Sequence, residues 1–252
     1  MDVQKIESLA NDFQTKSKGL VDFGKYSYYV VTHHSTSIEG STLTESQVIN
    51  LLDFGKPAAN KPFEHHNMVV DHFNALQFVV VEAEKKRLLT PDFIREIAAR
   101  VMKNTGDEVN TVMGSYNIAN GDFRIGTVRA GTRTFPDYKK VSDLVDRLCS
   151  EINEKLTSAI TFEEKCNLSF SAHFQLVSIH PFGDGNGRVS RLIMNFIQAW
   201  FGLPLSMVFK QDRIRYINAL EAARAKENEQ PFLNFMYTQY AKFLKKEITQ
   251  IS

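Results

Sequence analysis

The sequence predicts an all-α fold: a helical bundle with one small β-hairpin inserted. Three observations lead there. Apolar residues recur with the helical period over most of the chain. Helix-start signals stand ahead of several of those runs. Only residues 112–138, rich in Gly, Asn, Thr and Arg, lack a helical stripe.

In order along the chain, residues 4–17 are weakly amphipathic, and "YSYYVVTHHSTSIEG" (26–40) reads as a helix closed by Gly40 in a left-handed cap. "TESQ" (44–47) is a capping box that opens a short helix through Leu52, and "FGKPAANKP" (54–62) is a loop. A long helix follows from Glu64 to Arg87, and Thr90 caps the next with Pro91 at its first position. "IGTVRAGTRTF" (125–135) predicts the hairpin, with its turn near Gly131. Helices resume at Val141–Leu156. Thr161 and Glu164 form a second capping box, and two last helices are expected near 213–226 and 231–246.

The bulk properties narrow the function. In 252 residues, 43% are hydrophobic and 23% charged, the balance of a globular protein with a sizeable core. A net charge of +1 argues against nonspecific nucleic-acid binding. Cys149 and Cys166 are the only cysteines, too few for a disulfide framework, which fits a reducing compartment. The polar N-terminus is unlike a signal peptide, and no run approaches the roughly 18 apolar residues of a membrane span. A cytoplasmic protein with neither nucleic-acid nor membrane partners is expected. With the sequence ending at Ser252 soon after the last predicted helix, no appended DNA-binding domain is expected either.

One stretch, "HPFGDGNGR" (180–188), interrupts two helical patterns. Pro181 disfavours helical backbone at His180, so the helix should end at Ile179 and swing His180 out of register. Phe182 can anchor the loop in the core. Gly183, Gly185 and Gly187 allow positive φ or close approach of backbone to a ligand. The next helix should begin at Asn186 or Gly187, aiming its free N–H groups and positive dipole end into the loop as an anion site. That helix carries the stripe Val189, Leu192, Ile193, Phe196, Ile197 and Trp200, with Arg188 and Arg191 neighbours on one flank. Arginine forks suit phosphate, Asp184 is a hard oxygen ligand of the type that binds Mg²⁺ together with substrate phosphates, and His180 is an acid or base near neutral pH. This is equipment for attack on a phosphate ester or anhydride. A glycine-rich turn with a capping Asn and surface arginines is the plain alternative.

"HPFGDGNGRVSR" resembles the signature of the Fic (Fic/Doc) family, HPFx(D/E)GNGRxxR, at every defined position. The looser likeness runs from about Phe63 to Lys246. The resemblance implies a Fic-type helical bundle with a β-hairpin flap near 126–138, and transfer of AMP from ATP to a Ser, Thr or Tyr hydroxyl of a protein, releasing pyrophosphate. It further implies His180 as general base, Asp184 as Mg²⁺ ligand, the backbone of Gly185, Asn186 and Gly187 as anion hole, and Arg188 and Arg191 on the outer phosphates. A target segment would pair with the flap edge. Where some relatives place an Asn against the base, this chain has Arg224.

"STSIEG" (35–40) fits (S/T)xxxE(G/N), which in that family marks an inhibitory helix. The resemblance implies that Glu39, with Ser35 a turn earlier, pairs with Arg191 and occupies the γ-phosphate position. The expected organisation is residues 1–60 as an N-terminal helical region carrying this motif and 61–252 as the catalytic core, in one compact unit. A solvent-exposed Glu at a helix end is the alternative. The leading function is a self-inhibited protein adenylyltransferase whose target is another protein or itself. DeAMPylation by the same site and a silent nucleotide-binding module are the competitors. The target and a homo-oligomeric state stay open. The adjacent pairs His33–His34 and His65–His66 lack zinc-motif spacing and read as surface or core residues, and His173 reads as structural.

Overall fold

A helix buried on every side has to sit in the middle of a bundle, and its polar residues must all find partners there. Residues 186–200 make such a helix. The computed structural model describes residues 2–19, 23–130 and 133–251. Among them the elements run α1 (Val3–Ser17), α2 (Phe23–Ile38), α3 (Glu45–Phe54), α4 (Phe63–Glu84), α5 (Pro91–Val101), β1 (Glu108–Thr111), β2 (Gly114–Asn117), β3 (Arg129–Ala130), β4 (Arg133–Thr134), α6 (Val141–Ser158), α7 (Phe162–Ile179), α8 (Asn186–Trp200), α9 (Arg213–Ala225) and α10 (Gln230–Ile251). This is the all-α architecture expected from the periodicity.

The start signals act as read. The Thr44–Gln47 and Thr161–Glu164 pairs close reciprocal capping boxes, and the Thr90 side chain accepts from the Phe93 N–H with Pro91 at the first turn. The β content differs from the expectation of one hairpin. The predicted hairpin is β3–β4, with Arg129 opposite Thr134, and its turn near Gly131 lies outside the described residues. A second hairpin precedes it, β1–β2, with Val109 opposite Tyr116. Its turn carries Val112 and Met113 in place of the usual Asn-Gly, so it has no sequence signal. The Thr111 hydroxyl holds it instead, accepting from the Met113 N–H (3.1 Å) and donating to the Gly114 carbonyl (2.9 Å).

One buried apolar cluster extends from Ile6 in α1 to Leu244 in α10, and a small one of Leu43, Val48 and Val69 seats α3 on α4. At the centre α8 packs against α7, α4, α5 and α2. Val189, Leu192, Ile193, Phe196 and Ile197 are fully buried, and so, to within 1%, are Ser190, Asn195 and Gln198. The amphipathic stripe read from the sequence therefore belongs to a helix with no solvent face. Ser190, Asn195 and Gln198 each make a side-chain hydrogen bond, while Gln198 Oε1 has no partner among the described residues. Ser190 donates to the Asn186 carbonyl (2.7 Å), Asn195 accepts from the Ser206 N–H (2.8 Å), and Gln198 donates to the Ser206 hydroxyl (2.8 Å). No helix of the described residues is long and apolar enough to cross a membrane.

Phe93 links α5 to α8: it is fully buried, with ring centroids 5.4 Å from Phe196 and 5.9 Å from Phe78. Phe93→Ala should cost about 3–5 kcal/mol of stability. Urea denaturation should show a lower midpoint at unchanged slope, whereas a midpoint equal to wild type would contradict this packing.

Candidate active site

The helix α7 ends at Ile179, two residues before Pro181, as the steric rule requires of His180. His180 donates its N–H to the Leu176 carbonyl (3.0 Å) and adopts φ 55°, a left-handed conformation uncommon for a residue with a Cβ. Phe135, directly after β4, lies flat on its imidazole at a centroid distance of 3.8 Å and an interplanar angle of 18°. The His180 carbonyl accepts from Nε of buried Arg124 (2.8 Å). The β3–β4 hairpin thus stands beside the predicted base. Nothing in the spacing of the sequence singles out Phe135 or Arg124.

The loop from His180 to α8 is locked by Asn186. Its Oδ1 accepts from the Phe182 N–H (3.0 Å) and its Nδ2 donates to the Phe182 carbonyl (2.9 Å). Phe182 is buried, as expected, against Phe123 (5.6 Å between centroids). Of the three loop glycines only Gly185 has positive φ (81°), and a Cβ there would also fall 2.9 Å from Met102 Sδ. Gly183 and Gly187 are needed for space: a side chain would collide with the Tyr116 hydroxyl at the first and with the Glu39 carboxylate at the second. α8 begins at Asn186, and Gly185 gives its first turn no side-chain cap, so those N–H groups face the loop unclaimed by a side chain.

Arg188 and Arg191 are not surface residues. Both are 2% exposed. Arg188 reaches Met102 Sδ (3.0 Å) and Asp184 Oδ2 (3.3 Å) through one nitrogen, while its Nε and Nη1 have no hydrogen-bond partner among the described residues. Arg191 donates from Nε to the Ser35 hydroxyl (2.9 Å) and from Nη2 to the Ser35 carbonyl (3.0 Å) and Glu39 Oε1 (2.6 Å), leaving Nη1 unpaired. The sequence-predicted residues Ser35, Glu39 and Arg191 therefore meet across 156 and 152 residues of chain. The Glu39 side chain, just past the end of α2, keeps 32% of its surface accessible. Burial alone would raise its pKa, but the Arg191 charge and hydrogen bond, with Arg188 and Arg213 further off, hold it below the ordinary value. Asp184 is 66% exposed at its side chain, and Oδ1 accepts from the Gly185 N–H (2.6 Å).

Two further buried residues lie near the arginines. Tyr216 is buried, with a pKa raised by burial against the opposing charge of nearby Arg191, and shares a 3.0 Å hydrogen bond with His173 Nε2. His72 on α4 is fully buried with neither ring nitrogen partnered among the described residues. Burial first, then the charges of Arg191 and Arg188, push its pKa well down, so its ring is neutral. Neither carries a motif, and both lie on helices distant in sequence. His33, His34 and His173 are buried, which decides for core over surface in the first pair. Arg224 is held at the end of α7 by Ser178 (3.1 Å) and by Glu221 on its own helix (2.8 Å).

The Glu39 shift has a definite pH signature. A carboxyl with a depressed folded pKa contributes stability that is present above its ordinary pKa of 4.5 and is lost as pH falls through the lower folded value. The melting-temperature advantage of wild type over Glu39→Gln should hold from neutral pH to about 4.5 and shrink below it. An advantage that grows on acidification would show that Arg191 does not stabilise the carboxylate.

Comparison with known proteins agrees with this geometry. Residues 88–198 match the Fic/DOC family. The chain is 30% identical over 212 residues to "Protein adenylyltransferase Fic" of Drosophila willistoni and 28% identical over 242 residues to that of Drosophila ananassae. These matches cover 84% and 94% of this chain but only 40% and 46% of the relatives, so the chain spans less than half the length of either. In fold it is similar to a Fic domain containing signaling protein from Bacteroides thetaiotaomicron, at TM-score 0.82 and 22% identity, covering 98% of this chain and 97% of that one. Fic-1 from C. elegans is similar at TM-score 0.78 and 24% identity, over 98% of this chain and 70% of that one. With the full signature folded into a single loop and helix start, and with these likenesses, the chain carries a Fic/DOC family domain within residues 88–198.

Proposed function

We propose that this chain is a self-inhibited protein adenylyltransferase that moves AMP from ATP to a Ser, Thr or Tyr hydroxyl of a protein and releases pyrophosphate. The observation that carries the reading is the set of buried donors without acceptors: Arg188 Nε and Nη1 and Arg191 Nη1, beside the open first turn of α8. Buried charged donors left unpaired are costly, and a polyphosphate supplies the missing oxygens. The naming of the Drosophila relatives as adenylyltransferases supports the same class.

In this reading the N–H groups at Gly185, Asn186 and Gly187 hold phosphate oxygens, that of Gly185 exchanging the Asp184 oxygen it now bonds for one of phosphate, and Arg188 and Arg191 hold the outer phosphates. His180 takes the proton of the target hydroxyl as that oxygen attacks the α-phosphorus. The bond from the α-phosphorus to the bridging oxygen breaks, and pyrophosphate leaves with the electron pair. Phe135 keeps the imidazole flat against the flap while this happens. The residues present fit a Mg²⁺ ion. Asp184 is exposed and retains acceptor capacity, and among the described residues no cluster of three or more His, Cys, Asp or Glu could cage a metal by itself. Asp184 would hold the ion with substrate phosphates and water as the other ligands, and the bound ion would neutralise phosphate charge. The target segment lies along the flap edge, and the chain itself is one admissible target. Two buried, unpaired cysteines fit a cytoplasmic setting.

Inhibition follows from Glu39. Its carboxylate occupies Arg191 and lies where a side chain on Gly187 would go, so it competes with the γ-phosphate for the same donors. ATP then settles without its α-phosphate in line for attack.

His180→Ala should lower transfer by about 10²–10⁴-fold while ATP binding survives, because a general base acts on the hydroxyl and the α8 terminus acts on phosphate. Label from α-labelled ATP at a near wild-type rate would sink the assignment. Glu39→Gly should raise self- or target-labelling, and Arg191→Ala should lower it, although both break the same contact. The first frees a phosphate ligand and the second discards it. Initial rates at matched folded concentration decide the matter. A folded, ATP-binding Glu39→Gly protein that labels no faster than wild type would falsify the inhibitory role and leave a hydrolytic role for Glu39.

A further inference from the structure

Arg124 is 1% exposed and forms no ion pair with a carboxylate among the described residues. All three of its bonded nitrogens donate to backbone carbonyls: Nε to His180 (2.8 Å), Nη1 to Gly126 (2.8 Å) and Nη2 to Pro136 (2.6 Å). Its own N–H donates to the Pro181 carbonyl (2.9 Å). Gly126 and Pro136 are the two legs of the β3–β4 hairpin, and His180–Pro181 is the start of the site loop. One planar group therefore binds both legs of the flap to the backbone of the residue that would act as base. Phe135, adjacent to Pro136, then lies on the His180 ring.

We infer that Arg124 is a positioning residue for His180, setting the place of the imidazole from two sides, through the His180 carbonyl and through the Pro136–Phe135 leg of the flap. The inference rests on the reading of His180 as general base. Three considerations support it. A desolvated guanidinium bonded only to neutral carbonyls is an expensive way to fill space, and apolar packing of equal volume would serve stability as well. The rigid fork does what apolar packing cannot: it fixes three carbonyls in one relation to each other. His180 caps the C-terminus of α7 in a left-handed conformation, and a cation at that end compensates the exposed carbonyls and the helix dipole. None of the phosphate-binding groups touches Arg124, so its effect is confined to the base and the flap.

The test uses Arg124→Met and Arg124→Lys in the full chain, each also combined with Glu39→Gly so that transfer is measurable. Two readouts are needed: kcat and KM for ATP, and the ¹H–¹³C signal of the His180 imidazole. Arg124→Met should lower kcat by about 10²-fold with KM for ATP unchanged, the size expected for a misplaced reacting group. The His180 signal should leave its wild-type position as the Phe135 ring moves. Arg124→Lys, which keeps the charge without the fork, should fall between. A purely structural Arg124 would lower the melting temperature and leave kcat per folded molecule and the His180 signal as they are; that result in a folded variant overturns the inference. Should Arg124→Met fail to fold, Arg124→Lys decides by the same readouts, and in the wild type the Arg124 Nε–H should be protected from exchange; a freely exchanging Nε–H overturns the inference. Should no variant transfer AMP, the adenylyltransferase reading fails by itself, and the His180 signal still decides: displaced, it supports Arg124 as the positioning group; unmoved, it does not.

Discussion

A guanidinium in the middle of a helical bundle must be given acceptors, and the placement of Arg191 on the buried helix α8 imposes that demand on everything around it. Its acceptors come from the C-terminal turn of α2, where helix carbonyls lack partners of their own and the dipole is negative. Ser35 supplies a hydroxyl and a carbonyl, and Glu39 supplies the charge. Arg213 uses the same end of α2, donating to the Ile38 carbonyl (2.8 Å). The N-terminal segment is thereby docked by the residue whose remaining donor would serve a phosphate. Under the proposed function docking and inhibition would be one contact, and whatever competes for Arg191 would also loosen the hold on α2.

Around that contact the site is rigid where chemistry needs placement. Asn186 closes the loop on Phe182 through two hydrogen bonds, and Met102 presses against Gly185 and Arg188. Met102 itself ends α5, and the following turn is pinned where Asn104 donates to buried Asp71 through backbone (2.8 Å) and side chain (2.6 Å). A hydrogen bond joins His173 on α7 to Tyr216 on α9, beside Arg191 on α8. Burial keeps His173 neutral, which lets its Nε2 share a proton with the tyrosine without adding a charge beside the arginine. Supporting residues of this kind hold the motif at a geometry that the loop by itself would not keep.

Much of the site was legible because its residues are local. Pro181 forces His180 out of the helix by sterics that act within two residues, and the Asn186 start of α8 follows from the glycines before it. The same locality explains the capping boxes. Residues that act through long-range contact had no such signature. Arg124 looks like any charged loop residue, Phe135 like any aromatic beside a proline, and His72 like one more polar position on a long helix. The β1–β2 hairpin escaped for a local reason: its turn uses a Thr111 hydroxyl where glycine or asparagine would have announced it.

By itself the sequence determined the capped helix starts at Glu45, Pro91 and Phe162, the loop between α7 and α8, the chemical types gathered in it and the pairing of Glu39 with the family motif as an expectation. The first three follow from backbone sterics, capping and periodicity, which are short-range, and the Glu39 expectation follows from the resemblance to the family motif. Tertiary structure alone decided that α8 has no solvent face, that both arginines are desolvated, that two hairpins form and that the flap is tied to His180 through Arg124. The reason is physical. Burial and hydrogen-bond partnership depend on which elements meet, and elements more than a hundred residues apart meet only once the bundle has closed around α8.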